Sequence, residues 1–182
     1  VAIVLAGLLW AGTAMGGKGQ AGTTIRDLYY GEVLFHFYQQ NDFEALTHLL
    51  AARQAGRVNN HAAEAELLTG GLYLSYGQHE RAGEIFSRLL NESTDPAVRD
   101  RAWLYVGKAR YERGRFEAAN EAFARVGDAL PSWLAAEFDM LRAQNWMAQG
   151  DFSAAAELLD DWRGTENWRA YANYNLGVAL VL

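Results

Sequence analysis

The sequence predicts an all-α fold, a superhelical solenoid of antiparallel helix pairs. Three observations carry this expectation. Apolar residues recur at helical spacing from Thr24 onward, with no run of alternating residues that reads as a strand. Turn residues stand at Asn41, Gly77, Gly114 and Gly150, at spacings of 36, 37 and 36. Small and large residues keep fixed distances from those turns, a pattern that lets two helices approach closely and interlock.

Val1 to Ala14, VAIVLAGLLWAGTA, is the only strongly apolar run. It is uncharged and followed by small residues, the composition of a signal-peptide core and cleavage side. It is also short for a spanning helix, which needs about 20 residues. A cleaved signal peptide is the first reading and a membrane anchor the second. Residues 15–23, MGGKGQAGT, read as a Gly-rich linker.

The repeat region is expected over 24–182. The first helix spans Ile25 to Gln40, then Asn41-Asp42 breaks and caps, and Phe43 to Ala55 forms its partner. Residues 56–60 are a loop. Ala62 to Tyr76 and His79 to Asn91 form the second pair about Gly77-Gln78. Asp95-Pro96 opens the third pair, with Asp as cap and Pro where no hydrogen bond is needed. Its helices run to about Arg113 and from Phe116 to Gly127. Pro131 opens the fourth pair, Ser132 to Gln149 and Phe152 to Trp162, and Asn167 to Leu182 begins a ninth helix. The units are therefore about 24–56, 60–92, 95–128, 131–163 and a partial 167–182. Val1 in place of Met, and Leu182 inside an apolar helical run, predict a chain that continues at both ends.

In the alignment on the turns, Leu34, Gly70, Gly107 and Ala143 fall seven residues before each turn residue. Leu46, Ala82, Ala119 and Ala155 fall five after it, and Leu50, Phe86, Phe123 and Leu159 nine after it. The third unit, AWLYVGKARYERGRFEAANEAF, is the clearest copy, and Tyr174-Asn175-Leu176-Gly177 looks like the start of a fifth. On these residues the chain resembles the tetratricopeptide repeat family, departing from it in a period longer than about 34 and in Leu46 where a small residue is expected. The resemblance implies a right-handed superhelix whose first helices line a concave groove, and protein or peptide binding there. The groove positions carried over are Phe35 and Tyr38 in unit one, then Leu67, Gly71 and Leu74 in unit two. Unit three supplies Leu104, Lys108 and Tyr111, and unit four Met140, Gln144 and Met147.

Composition narrows the function classes. A net charge of −6 argues against nucleic-acid binding, which normally shows a basic face. The absence of cysteine excludes disulfides, thiolate metal sites and a Cys nucleophile. Gly12 to Gly19, GTAMGGKG, nearly matches a phosphate-binding loop but has Gly19 where Ser or Thr must follow the Lys. His36, His48, His61 and His79 are scattered, and no metal, cofactor or catalytic set is expected. Together with the apolar start, the resemblance implies a non-enzymatic interaction scaffold of the bacterial envelope, exported and periplasmic, touching the membrane only through an uncleaved N-terminal segment. The alternative is the repeat arm of a larger protein whose further part carries an enzyme or pore.

Overall fold

The computed structural model describes residues 25–160, 162, 164 and 166–181. The signal-peptide and linker segments, and the near-match to a phosphate-binding loop at 12–19, lie outside the described residues. Among the described residues there are nine α-helices and one short 3₁₀ turn, with no strand. The helices are α1 (Leu28–Tyr38), α2 (Asp42–Gln54), α3 (Ala62–Ser75), α4 (His79–Glu92) and α5 (Pro96–Glu112). They continue with α6 (Phe116–Phe123), α7 (Ser132–Ala148), α8 (Phe152–Asp160) and α9 (Glu166–Val181). None of them is long and apolar enough to cross a membrane. The chain divides into two compact units between Ala65 and Glu66.

The expected turns share one chemistry. At Gly77, Gly114 and Gly150 the backbone takes φ of 69°, 70° and 81°. The amide one residue later reaches back to the carbonyl five positions earlier: Gln78 to Tyr73 at 2.8 Å, Arg115 to Arg110 at 2.9 Å, Asp151 to Trp146 at 2.9 Å. This left-handed cap satisfies the last carbonyls of the first helix and turns the chain into the second. At the first turn the left-handed residue is Gln40, at φ 62°, and Asn41 N–H bonds to His36 O at 3.0 Å. The turn of unit one therefore sits one residue earlier than Asn41. Asn41 stands at the cap of α2 but makes no side-chain capping bond.

That shift repairs the repeat. Counted from Gln40, the small residue five positions on is Ala45, and Ala45, Ala82, Ala119 and Ala155 are all fully buried. The residues nine on become Leu49, Phe86, Phe123 and Leu159, each buried in turn. Leu46 is thus no departure from the pattern, because the small residue it was expected to replace is its neighbour. Each fully buried Leu or Phe here contributes about 1.5–3 kcal/mol of burial free energy.

Helix starts follow local chemistry. Asp95 accepts from Ala97 N–H at 2.9 Å with Pro96 opening α5, as expected. Asp151 accepts from Ala154 N–H at 3.1 Å at the start of α8. Pro131 precedes α7 as its cap residue rather than opening it. The α6 helix stops at Phe123, short of the expected Gly127, because Arg125 and Val126 bond three residues back instead of four. The buried Asp100 carboxylate then accepts from Ala129 N–H at 2.9 Å, drawing this loop onto α5.

In the unit that begins at Glu66, sequential helices pack as pairs, and α5 touches α7 as α7 touches α9. The first helices α5 and α7, and α7 and α9, therefore contact each other as well as the second helices beside them. Tyr105 on α5 stacks on Phe86 at 5.3 Å between centroids. Burial pushes its phenol up to about 12, reinforced by Glu137, while Arg101 beside it pulls the other way. A phenol held above its ordinary value of 10.0 stabilises the fold below that pH, and the contribution is lost as pH rises towards 12. Urea titrations at pH 9 and pH 11.5 should show the wild type losing about 2 kcal/mol more than Tyr105→Phe over this window. Equal losses in the two proteins would rule the linkage out.

In the unit before Glu66, α1 and α2 form one antiparallel hairpin whose buried residues include Tyr30, Val33, Ala45, Leu49 and Ala52. The 3₁₀ turn Asn59–His61 occupies the expected loop. Asp27 anchors it by accepting from Asn60 N–H at 2.9 Å, Asn60 Nδ2 at 2.6 Å and His61 N–H at 3.1 Å.

Candidate functional site

The groove residues expected from the sequence divide by burial. Phe35 and Tyr38 are open to solvent, at 61% and 76% of their maximal exposure. Leu67, Leu74, Leu104 and Met140 are buried within the chain, as is Gly71. The leucines and Met140 present no surface for a partner, whereas a Cβ added at Gly71 would meet nothing within 4 Å. Met140 illustrates why: it joins the cluster of Ala143, Ala155, Leu159 and Ala172, using its surface to hold α7 against α8 and α9. Tyr111, Gln144 and Met147 are half-buried and keep part of their side chains outside.

Lys108 has a different role from the expected contact. Its Nζ donates to Glu137 Oε1 at 2.8 Å, tying α5 to α7, and its side chain is almost wholly covered. Glu112, one turn further along α5, lies 3.7 Å from His79 Nδ1. Burial raises the Glu112 carboxyl above its usual range, while Lys108 and His79 oppose the rise and Glu137 adds to it. Burial likewise raises the Tyr111 phenol. Residues of α4, α5 and α7 therefore bring together two carboxylates, a lysine, a histidine and a phenol. Such a set holds polar or cationic groups better than aliphatic ones, because unpaired apolar area is scarce and oriented charge is not.

In the other unit the histidines do not stay scattered. Glu32 and His36 lie four residues apart on one face of α1. The hairpin turn at Gln40 folds His48 of α2 back beside them. His48 Nδ1 is 3.3 Å from Glu32 Oε1, and the His36 and His48 rings are 4.8 Å apart between centroids. The three side chains offer one ligand atom each within 4.8 Å of one another. Nδ1 of His36 is shielded from solvent and has no hydrogen-bond partner. Beside this cluster is a shallow cleft of about 280 Å³, lined by Tyr29, Glu32, His48, Ala51, Ala52 and Arg57. The Arg57 guanidinium lies 4.5 Å over the Tyr29 ring there.

No metal-ligand set was expected from the sequence, and among the described residues Glu32, His36 and His48 lie close enough together to be a candidate one. The signal was present as Glu-x-x-x-His on one helix and a His eight residues past the turn residue Gln40. It has no fixed spacing, so it is visible only once the hairpin register is known. His61 is differently employed: Nε2 accepts from Arg26 N–H at 3.0 Å and the ring stacks on Tyr30.

No protein-family model matches the chain, and no curated protein is similar enough to count as a relative.

Proposed function

We propose that the chain is a non-enzymatic interaction scaffold of tetratricopeptide type, binding an extended segment of another protein along its first helices. The observation that supports this most is the repeated hairpin. The same left-handed turn recurs with the same buried alanine five residues on, and the first helices α5, α7 and α9 touch in sequence. Stacked helix pairs of this kind build an extended inner face from one residue set per repeat. In this reading Tyr111, Gln144 and Met147 of the unit after Ala65 meet the partner. The covered leucines and Met140 only support them. Export to a bacterial periplasm belongs to the same proposal and rests on the apolar run Val1 to Ala14.

Photo-crosslinking in the native host tests the reading. A crosslinking residue at Tyr111 or Gln144 should trap a discrete protein partner. The same residue at Glu84 or Glu121, exposed on second helices, should not. Equal trapping at all four positions, or none at Tyr111 and Gln144, would sink it.

A second reading, the arm of a longer protein, is favoured by α9. Gly70 and Gly107 are each covered by an aromatic ring of the following helix, whereas Gly177 has nothing against it. Tyr171, Tyr174 and Leu180 of the same helix are exposed. These are the features of a first helix whose partner would pack there.

A further inference from the structure

We propose that Glu32, His36 and His48 form a binding site for a divalent transition metal of the Zn²⁺ type, with two imidazole ligands and one carboxylate. The chemistry of the donors selects the ion. Imidazole and carboxylate together suit Zn²⁺, whereas Mg²⁺ and Ca²⁺ require shells of oxygen ligands.

The geometry is close to that required. Tetrahedral coordination at Zn–N distances of about 2.0–2.1 Å places ligand atoms about 3.3 Å apart. His48 Nδ1 and Glu32 Oε1 already stand at 3.3 Å. The remaining separations, up to 4.8 Å, close by rotation of side chains, because the backbones of α1 and α2 are held by Val33, Ala45 and Leu49 beneath. The hairpin core thus supplies the rigid support that a site on two elements needs.

Two further features point to a ligand rather than to a simple ion pair. A His48–Glu32 pair alone leaves His36 Nδ1 unused, and that atom is shielded from water without a hydrogen-bond partner. A buried polar atom without a partner is destabilising, and a metal ion bound through it would satisfy it. Glu32 and His48 also line the 280 Å³ cleft, so an ion between them is open to a fourth ligand from that side. Arg57 in the same cleft favours an anionic fourth ligand, a hydroxide or a carboxylate. Three protein ligands and one open position is the arrangement of an exchangeable site, not of a closed structural one.

The test is calorimetric titration of the chelator-treated full chain with Zn²⁺ alone, alongside thermal melts. One equivalent should bind, and the melting temperature should rise by on the order of 5 °C at saturating metal. His36→Ala and His48→Ala should each weaken binding at least tenfold, and Glu32→Gln about tenfold. His79→Ala, whose partner is a single carboxylate, should leave the affinity unchanged. Excess Mg²⁺ or Ca²⁺ should not compete. His36→Gln and His48→Gln keep the side-chain bulk and serve if either alanine variant fails to fold. Absence of saturable binding by the wild type would overturn the proposal. So would undiminished binding by a folded His36 or His48 variant, or an equal loss in His79→Ala.

Discussion

Gly107→Ala is expected to destabilise the fold by about 2–3 kcal/mol, although alanine is the better helix former. A Cβ at Gly107 would stand 2.3 Å from Cε1 and 2.4 Å from Cδ1 of Phe123. That ring cannot withdraw freely. Phe123 is buried, and its far edge meets Phe138 at 5.9 Å between centroids. The gain of about 0.8–1.0 kcal/mol in helix propensity is smaller than the repacking it forces. Phe123→Leu in the same chain opens space for the methyl group, so the double variant should lose less than the two single losses added. Gly83→Ala is the control, since nothing lies within 4 Å of its added Cβ. That variant should be neutral or more stable by up to about 1 kcal/mol. Denaturant titration of the wild type and these four variants decides the matter. If Gly107→Ala and Gly83→Ala shift the midpoint alike, close packing at Gly107 is not what the position is for.

Lys108→Met should remove about 3 kcal/mol, the usual range when one partner of a covered ion pair is deleted. The Lys108 side chain is 6% exposed and that of Glu137 21%, so the pair is held largely out of water. Without the ammonium, Glu137 keeps its desolvation and loses its counter-charge, and Glu112 loses the strongest influence holding its carboxyl down. The double variant Lys108→Met with Glu137→Leu replaces the pair by apolar groups of similar volume and should recover most of the loss. Urea titration of the single and double variants measures the coupling. A single variant within about 0.5 kcal/mol of the wild type would mean that the pair is screened as a surface pair is.

These predictions share a structural origin. Gly107 and Lys108 are neighbours on α5, one facing its own partner helix and the other facing α7. The repeat pattern marks Gly107 plainly, because a small residue opposite a phenylalanine recurs at Gly70 and Phe86. It does not mark Lys108. A lysine on the face expected to receive a partner reads as a contact residue until Glu137, 29 positions away, is brought against it.

The sequence by itself determined the helical class, the hairpin unit and most turn positions. Those depend on local chemistry: a glycine able to adopt positive φ, an Asp-Pro cap, and apolar residues at helical period. Even there, one turn escaped it. Gln40 occupies a left-handed position that a side chain enters only at a cost of about 1–2 kcal/mol, so residue type pointed to Asn41 beside it. Tertiary structure alone decided which first-helix residues are covered and which remain open. Leu67, Leu104 and Met140 have the composition of a binding stripe, but all three are buried within the chain. It alone also assembled Glu32, His36 and His48. Helical spacing aligns the first two, but the third arrives through the register of a turn. A shift of one residue there rotates His48 by about 100° around its helix and away from the other two.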